Sequence, residues 1–207
     1  MCRSNAEMRT SMELEHLRDS MKITLKPSRY RHSVGVEEVA CDMAVIFGYP
    51  PEKASIAGIL HDCAKDLPQE ELLMQCEERR LSVSEVERKC PYLLHGKVGA
   101  AFAREKYGVT DPAILSAITY HTTGHPAMSL LEKIIFNADY IEPNRKPLPR
   151  ITLLREAAYS DIDLATFLVL ENMLNYLKET KAVIDTLTVD TFHYYEDMIK
   201  DRNILFV

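Results

Sequence analysis

The stretch Leu130-Leu131-Glu132-Lys133-Ile134-Ile135-Phe136-Asn137-Ala138-Asp139-Tyr140-Ile141-Glu142-Pro143 decides the reading of the fold. Leu130, Leu131, Ile134, Ile135 and Ala138 recur three and four residues apart, which is the period of one helix face and not the alternation of a strand. Asp139 follows Ile135 by four residues and Phe136 by three, so it projects from the face that must be buried. A buried carboxylate without a partner is too costly to keep. Asp139 must therefore meet a cation, a metal or strong donors.

Outward from this segment the same period recurs. It appears in Ile56, Ile59, Leu60 and Cys63, and most extensively between Ile162 and Ile184, where Leu164, Phe167, Leu168, Glu171, Leu174 and Leu177 fall toward one side. Pro27, Pro50, Pro51, Pro68, Pro91, Pro112 and Pro126 each precede or open such a stretch, where a missing N–H is no loss. Gly48 and Gly108 stand where helices should stop. Glu142 to Arg150, carrying Pro143, Pro147 and Pro149, reads as a surface loop. Leu187-Thr188-Val189 is too short to found a sheet. The first twenty-odd residues read as a loose start followed by a short helix. The expected fold is all-α, a single helical bundle of roughly eight to ten helices.

Composition narrows the function classes. The chain has 207 residues, the size of one domain. Its formal charge of -6 argues against a broad basic surface for a nucleic-acid polymer or an anionic membrane. No run approaches the ~18 apolar residues of a membrane span, and the polar first twenty residues hold no secretory h-region. Cys2, Cys41, Cys63, Cys76 and Cys90 are odd in number and form no CxxC, which disfavours disulfides and thiolate zinc sites. A cytoplasmic location is expected.

The informative residues are titratable side chains that interrupt apolar faces. Besides Asp139 these are His32, four before Val36; His61 and Asp62, after Ile59-Leu60; His95, heading a helix with Val98, Ala101 and Phe102; and His121, four after Ala117. One such histidine alone is most often a satisfied core residue. Four histidines and two carboxylates on the inner faces of separate helices form a ligand set for Fe, Mn or Zn. The metal centre is expected between helices.

The order His32, His61-Asp62, His95, His121, Asp139 resembles the HD-domain superfamily of metal-dependent phosphohydrolases. The runs His61-Asp62-Cys63-Ala64-Lys65-Asp66, Tyr120-His121-Thr122-Thr123-Gly124 and Ala138-Asp139-Tyr140-Ile141-Glu142-Pro143 are similar to the bacterial YqeK-type members, which hydrolyse diadenosine tetraphosphate symmetrically to two ADP. The resemblance covers roughly residues 24–200, leaving 1–23 as a partly helical extension and 201–207 as a tail. It implies one metal held by His32, His61, Asp62 and Asp139, and a second held by His95 and His121 with Asp62 bridging. Fe is the first expectation, with Mn, Co or Zn as alternatives. Two divalent ions against two carboxylates leave a charge of about +2, or about +1 with a bridging hydroxide, which suits a polyphosphate anion. The implied reaction is attack of that hydroxide on a central phosphorus with ADP leaving.

Several other residues are expected to touch substrate. Lys65, one helical turn after Asp62, is expected to bind phosphate oxygens and offset their charge, alongside Asp62 as a catalytic residue. Arg29, three before His32, and Arg145, in the proline-bearing loop, are candidate phosphate or nucleotide contacts. Thr122 and Gly124 would let backbone approach a phosphate, and His125 is a candidate facing the phosphates. His16 and His193 read as surface residues. A nucleotidase or phosphodiesterase on another nucleotide, a di-iron oxygenase and a non-catalytic nucleotide sensor remain alternatives, and the sequence leaves a homodimer open.

Overall fold

Helix starts follow the punctuation of the chain. In the computed structural model, which describes residues 5–145 and 148–202, α1 spans Asn5–Thr24, α2 Pro27–Ile46, α3 Pro51–Leu60, α4 Gln69–Glu78, α5 Glu85–Lys89 and α6 His95–Glu105. They are followed by α7 Pro112–Tyr120, α8 Leu130–Ile141, α9 Ile151–Ala158, α10 Ile162–Glu179 and α11 Thr186–Asp201, and a 3₁₀ turn over Pro91–Leu94 precedes α6. Proline occupies the first turn of α2, α3 and α7. Ser129 caps α8 by accepting from the Glu132 N–H while the Glu132 carboxylate accepts from the Ser129 N–H. Asp161 and Asp185 accept the first free N–H groups of α10 and α11. Gly48 and Gly108 adopt φ of +69° and +71° in the turns that end α2 and α6.

The fold is all-α, and among the described residues no strand is present. Leu187, Thr188 and Val189 belong to α11. Two expectations are corrected. The described residues form eleven α-helices, more than the periodicity suggested, because a helix of five residues such as α5 is too short to show a period. The helix at the start is twenty residues long and not short. Its inner stripe is thin, Leu17 and Met21 being buried in the core among charged neighbours, and Arg18 is paired with Glu37 of α2. Of the extension and tail expected at 1–23 and 201–207, residues 1–4 and 203–207 lie outside the described residues, as does Cys2. Cys63 and Cys76 are buried free thiols, whereas Cys41 and Cys90 are half-buried.

The core is built where α2, α3, α7 and α8 meet, with α6 on α7 and α10 on α8. Ile59, Leu60, Ile118, Leu131, Ile134 and Ile135 are fully buried there. Each such side chain contributes about 1.5–3 kcal/mol relative to exposure. Gly58 lets α3 lie directly on α2, since a Cβ at that position would stand 2.8 Å from the Cα of Glu37. That close approach carries the C-terminal end of α3, and the residues just after it, to the middle of α2.

Candidate metal centre

The six titratable residues singled out from the sequence converge at this point. His32 comes from α2, His61 and Asp62 from the turn that ends α3, His95 from the start of α6, His121 from the residue after α7, and Asp139 from the last turn of α8. Asp139 Oδ1 lies 2.9 Å from His32 Nε2 and 3.8 Å from His61 Nε2. Asp62 Oδ2 lies 3.7 Å and 3.4 Å from the same two nitrogens. The other oxygen of Asp62, Oδ1, faces His95 Nε2 at 3.3 Å and His121 Nε2 at 3.5 Å. One carboxylate thus serves two adjoining donor sets. His32, His61 and Asp139, and likewise His61, Asp62 and His121, each offer ligand atoms within 4.8 Å of one another.

The tautomers follow from the other ring nitrogens. Nδ1 of His61, His95 and His121 donates to the backbone carbonyls of Gly58, Tyr92 and Ile118, and Nδ1 of His32 donates to Glu142 Oε1 at 3.0 Å. With Nδ1 carrying the proton, the neutral rings of His61, His95 and His121 turn a lone pair inward at Nε2. The Nε2 atoms of His95 and His121 are 3.0 Å apart, and Asp62 Oδ1 beside them is buried with no hydrogen-bond partner. Such an electron-rich gap is costly unless a cation fills it. Imidazole and carboxylate donors without thiolate fit a divalent Fe, Mn, Co or Zn ion.

The protonation of the metal-free protein shows the same pull. Burial lowers His32, but its contacts with Asp139 and Glu142 outweigh burial and raise the imidazole to about 9. Burial and the nearby Lys65 cation push His95 down to about 4. Burial lowers His61 as well. Asp62 and Asp139 would rise on burial alone, yet the histidines around Asp62, and Arg145 with His32 beside Asp139, hold both well below the usual carboxylate range.

Cations ring this centre. Arg29 Nη1 donates to Asp62 Oδ2 at 2.7 Å, and Arg145 Nη2 donates to Asp139 Oδ1. The Lys65 ammonium lies 3.1 Å from His95 Nε2, and burial lowers its pKa. The Thr122 hydroxyl stands 3.1 Å from both His95 Nε2 and His121 Nε2, so its side chain reaches the centre. Two neighbours in sequence are placed elsewhere. Gly124 takes φ of +64°, and a Cβ there would meet Thr191 of α11 at 2.9 Å, so it turns the chain and packs on α11. His125 directs Nε2 to Glu132 Oε1 and Nδ1 to the Pro126 carbonyl, anchoring the loop before α8. His16 and His193 are exposed.

The sequence reading missed two parts of the site. Glu142 is 1% exposed and backs His32, with its other oxygen accepting the Asn144 N–H at 2.6 Å. Gly35, three residues after His32, leaves room for it, since a Cβ there would stand 2.4 Å from Glu142 Oε2. The second part is a cleft of about 870 Å³ that opens from Lys65, His121, Asp139 and Arg145 toward Tyr140, Met173 and Tyr176. Its outer wall is the second half of α10. Asn172, a polar residue on the buried side of that helix, donates to the Tyr140 hydroxyl and the Pro149 carbonyl and is the one sequence signal that could have pointed there.

Buried imidazoles and carboxylates from separate helices, with Arg29, Lys65 and Arg145 around them, define an all-α protein built around a centre that fits divalent metal. The HD domain model matches residues 29–144, and the chain belongs to that family. It is 40% identical over 173 residues to the symmetrical bis(5'-nucleosyl)-tetraphosphatase of Halalkalibacterium halodurans, covering 84% of this chain and 91% of that one. To the Bacillus subtilis protein of the same name it is 37% identical over 183 residues, covering 88% and 97%. The crystal structure of a predicted HD superfamily hydrolase involved in NAD metabolism from Clostridium acetobutylicum is similar with a TM-score of 0.85 and 36% identity, covering 89% of this chain and 97% of that one. Among the described residues no helix is long and apolar enough to cross a membrane.

Proposed function

We propose that this chain is a metal-dependent hydrolase of dinucleoside polyphosphates that divides diadenosine tetraphosphate into two ADP. The observation that carries the reading is the placement of Asp62, which offers one oxygen to each of two adjoining donor sets, with Arg29, Lys65 and Arg145 beside them. The names of the relatives point the same way. His32, His61, Asp62 and Asp139 would hold one ion; His95 and His121, with Asp62, would hold a second, and iron is the first expectation for both. Bound there, divalent ions supply Lewis acidity toward phosphate oxygens and a water acidified to a pKa near ~7.

The chain's own residues do the rest. The backbone carbonyls of Gly58, Tyr92 and Ile118, together with Glu142, fix the ring orientation of the four histidines. Arg29, Arg145 and Lys65 draw the polyphosphate in and answer the charge that develops on it. Lys65, half-buried and 3.1 Å from His95 Nε2, would stabilise the departing ADP. Burial of the ligands keeps bulk water away, which strengthens each of these interactions. In the reaction a water oxygen bonds to one central phosphorus and the bridging oxygen leaves with the other half.

Anaerobically purified protein loaded with Fe, Mn, Co or Zn tests the reading. Diadenosine tetraphosphate should yield only ADP, and oxygen-labelled water should mark a single one of the two products. AMP and ATP as products, or oxygen consumption without phosphate-bond cleavage, would refute it.

A further inference from the structure

The segment that leaves His121 and returns to α8 is held in a costly shape. His121 and Thr122 follow α7 directly, and the Gly124 N–H donates to the Tyr120 carbonyl at 2.8 Å, closing the turn behind them. Ala127 then takes φ of +57°. A residue with a Cβ keeps that left-handed conformation only where its surroundings impose it.

Glu132, in the first turn of α8 and 5% exposed, is the group that imposes it. Its Oε1 accepts from the Ser116 hydroxyl of α7 and from His125 Nε2 at 2.9 Å, and its Oε2 accepts from the Ser129 N–H at 2.6 Å. One carboxylate therefore ties the helix before His121, the loop after it and the start of the helix that carries Asp139. Burial would raise Glu132, but these donors outweigh it and hold the carboxyl below its ordinary range, so it is ionised and accepts from all three. The His125 ring also packs edge-on against Tyr120, the residue before His121, with centroids 4.5 Å apart. On the far side, Thr191 and Tyr195 of α11 close over the loop at Gly124 and at the Met128 backbone. Asp139 lies two turns further along α8, where the fully buried Leu131, Ile134 and Ile135 fix the helix independently of the loop.

We propose that Glu132 is a positioning residue for one donor set alone. Through Ser116, His125 and Ser129 it sets where His121 and Thr122 stand relative to Asp62. It thereby governs the ion held by His95 and His121, and not the ion held by His32, His61 and Asp139. The inference rests on the two-ion reading above.

The test is Glu132→Gln in the full chain, read by chelator competition with Mn and by elemental analysis. Glutamine keeps the size but offers a single acceptor oxygen, so the tie to His125 or the tie to Ser129 becomes a donor facing a donor. The parent should hold two ions per chain. In the variant one of them should bind about 10–100-fold more weakly, as it does when the outer partner of a metal-ligating histidine is lost, and the other as in the parent. In a His121→Ala background, where only the first ion remains, Glu132→Gln should change nothing, since a residue that acts through His121 has nothing left to act on. Ser116→Ala removes one tie, leaves the capping box and should weaken the same ion by less; it decides the matter if Glu132→Gln does not fold. Equal weakening of both ions, or a further loss on top of His121→Ala, would show a general loosening of the fold and overturn the inference. So would either variant, folded, that holds both ions as tightly as the parent. A parent that binds fewer than two ions per chain would overturn the two-ion reading, and the inference with it.

Discussion

Glu142→Gln isolates the one carboxylate that touches the centre without being placed to hold a metal. Glutamine matches glutamate in size, so the change leaves no cavity. It does alter the donors and acceptors. Two N–H groups face the native carboxylate, His32 Nδ1 at 3.0 Å from Oε1 and Asn144 N at 2.6 Å from Oε2. An amide offers one oxygen and one NH₂, so one of those donors must face another donor. Losing a hydrogen bond to a charged group costs about 1.5–3 kcal/mol. At about 1.4 kcal/mol per tenfold, that is about 10- to 150-fold in affinity. Outer partners of metal-ligating histidines carry a similar ~10–100-fold effect. Competition titration against a chelator should therefore show the His32-containing position weakened by about 10–100-fold, with far-UV circular dichroism unchanged. Gly35→Ala should shift affinity the same way, because its Cβ would press on Glu142 Oε2. A folded Glu142→Gln protein that binds metal as tightly as the parent would refute the reasoning.

Asp62→Ala removes the oxygen donor common to both sets, so metal content by elemental analysis and activity should be lost together; activity without metal would mean the centre lies elsewhere. Lys65→Ala should keep both metals and lower turnover by about a hundredfold, as loss of one donor to developing charge does; an equal loss of metal would show that it serves the ligands. In the metal-free protein the His32 imidazole, raised to about 9 from its ordinary 6.5, contributes stability that is present below 6.5 and lost as pH rises through 9. Asp62, Asp139 and Glu142, held low, contribute stability above their ordinary values that is lost as pH falls through their lowered ones. The Tm of chelated protein should therefore fall between pH 7 and 9 and again in acid, and a flat profile from 7 to 9 would contradict the His32 assignment.

Helical class was legible because α8 and α10 repeat their apolar residues at helical spacing over several turns, which local sequence records faithfully. The six converging residues were legible for the opposite reason: each breaks an apolar stripe that burial demands. His61 and His121 stand one residue beyond their helices yet continue in helical conformation, so the face argument still held for them. Glu142 was hidden because it follows the last helical residue and precedes a proline, which reads as the start of an exposed loop. Its partner His32 lies 110 residues away, and no local pattern encodes that pairing. Gly124 and His125 were drawn toward the centre by adjacency to His121, but the left-handed turn at Gly124 directs one to α11 and the other to Glu132. The cleft wall on α10 was invisible for the same reason as Glu142, since it is made by elements distant in the chain.

The donors span the chain from His32 on α2 to Asp139 on α8. An ion held among them would work as a clasp across the core, one that closes only after α8 has docked. A chain in which α8 has not docked lacks the Asp139 donor and would not hold the ion completely. Because the ion binds the folded form, a hundredfold excess over its dissociation constant stabilises that form by about 2.7 kcal/mol. Shifts of about 1–2 kcal/mol change cellular abundance several-fold through proteolysis of opened chains. Metal supply would then set how long each molecule survives as well as how fast it works.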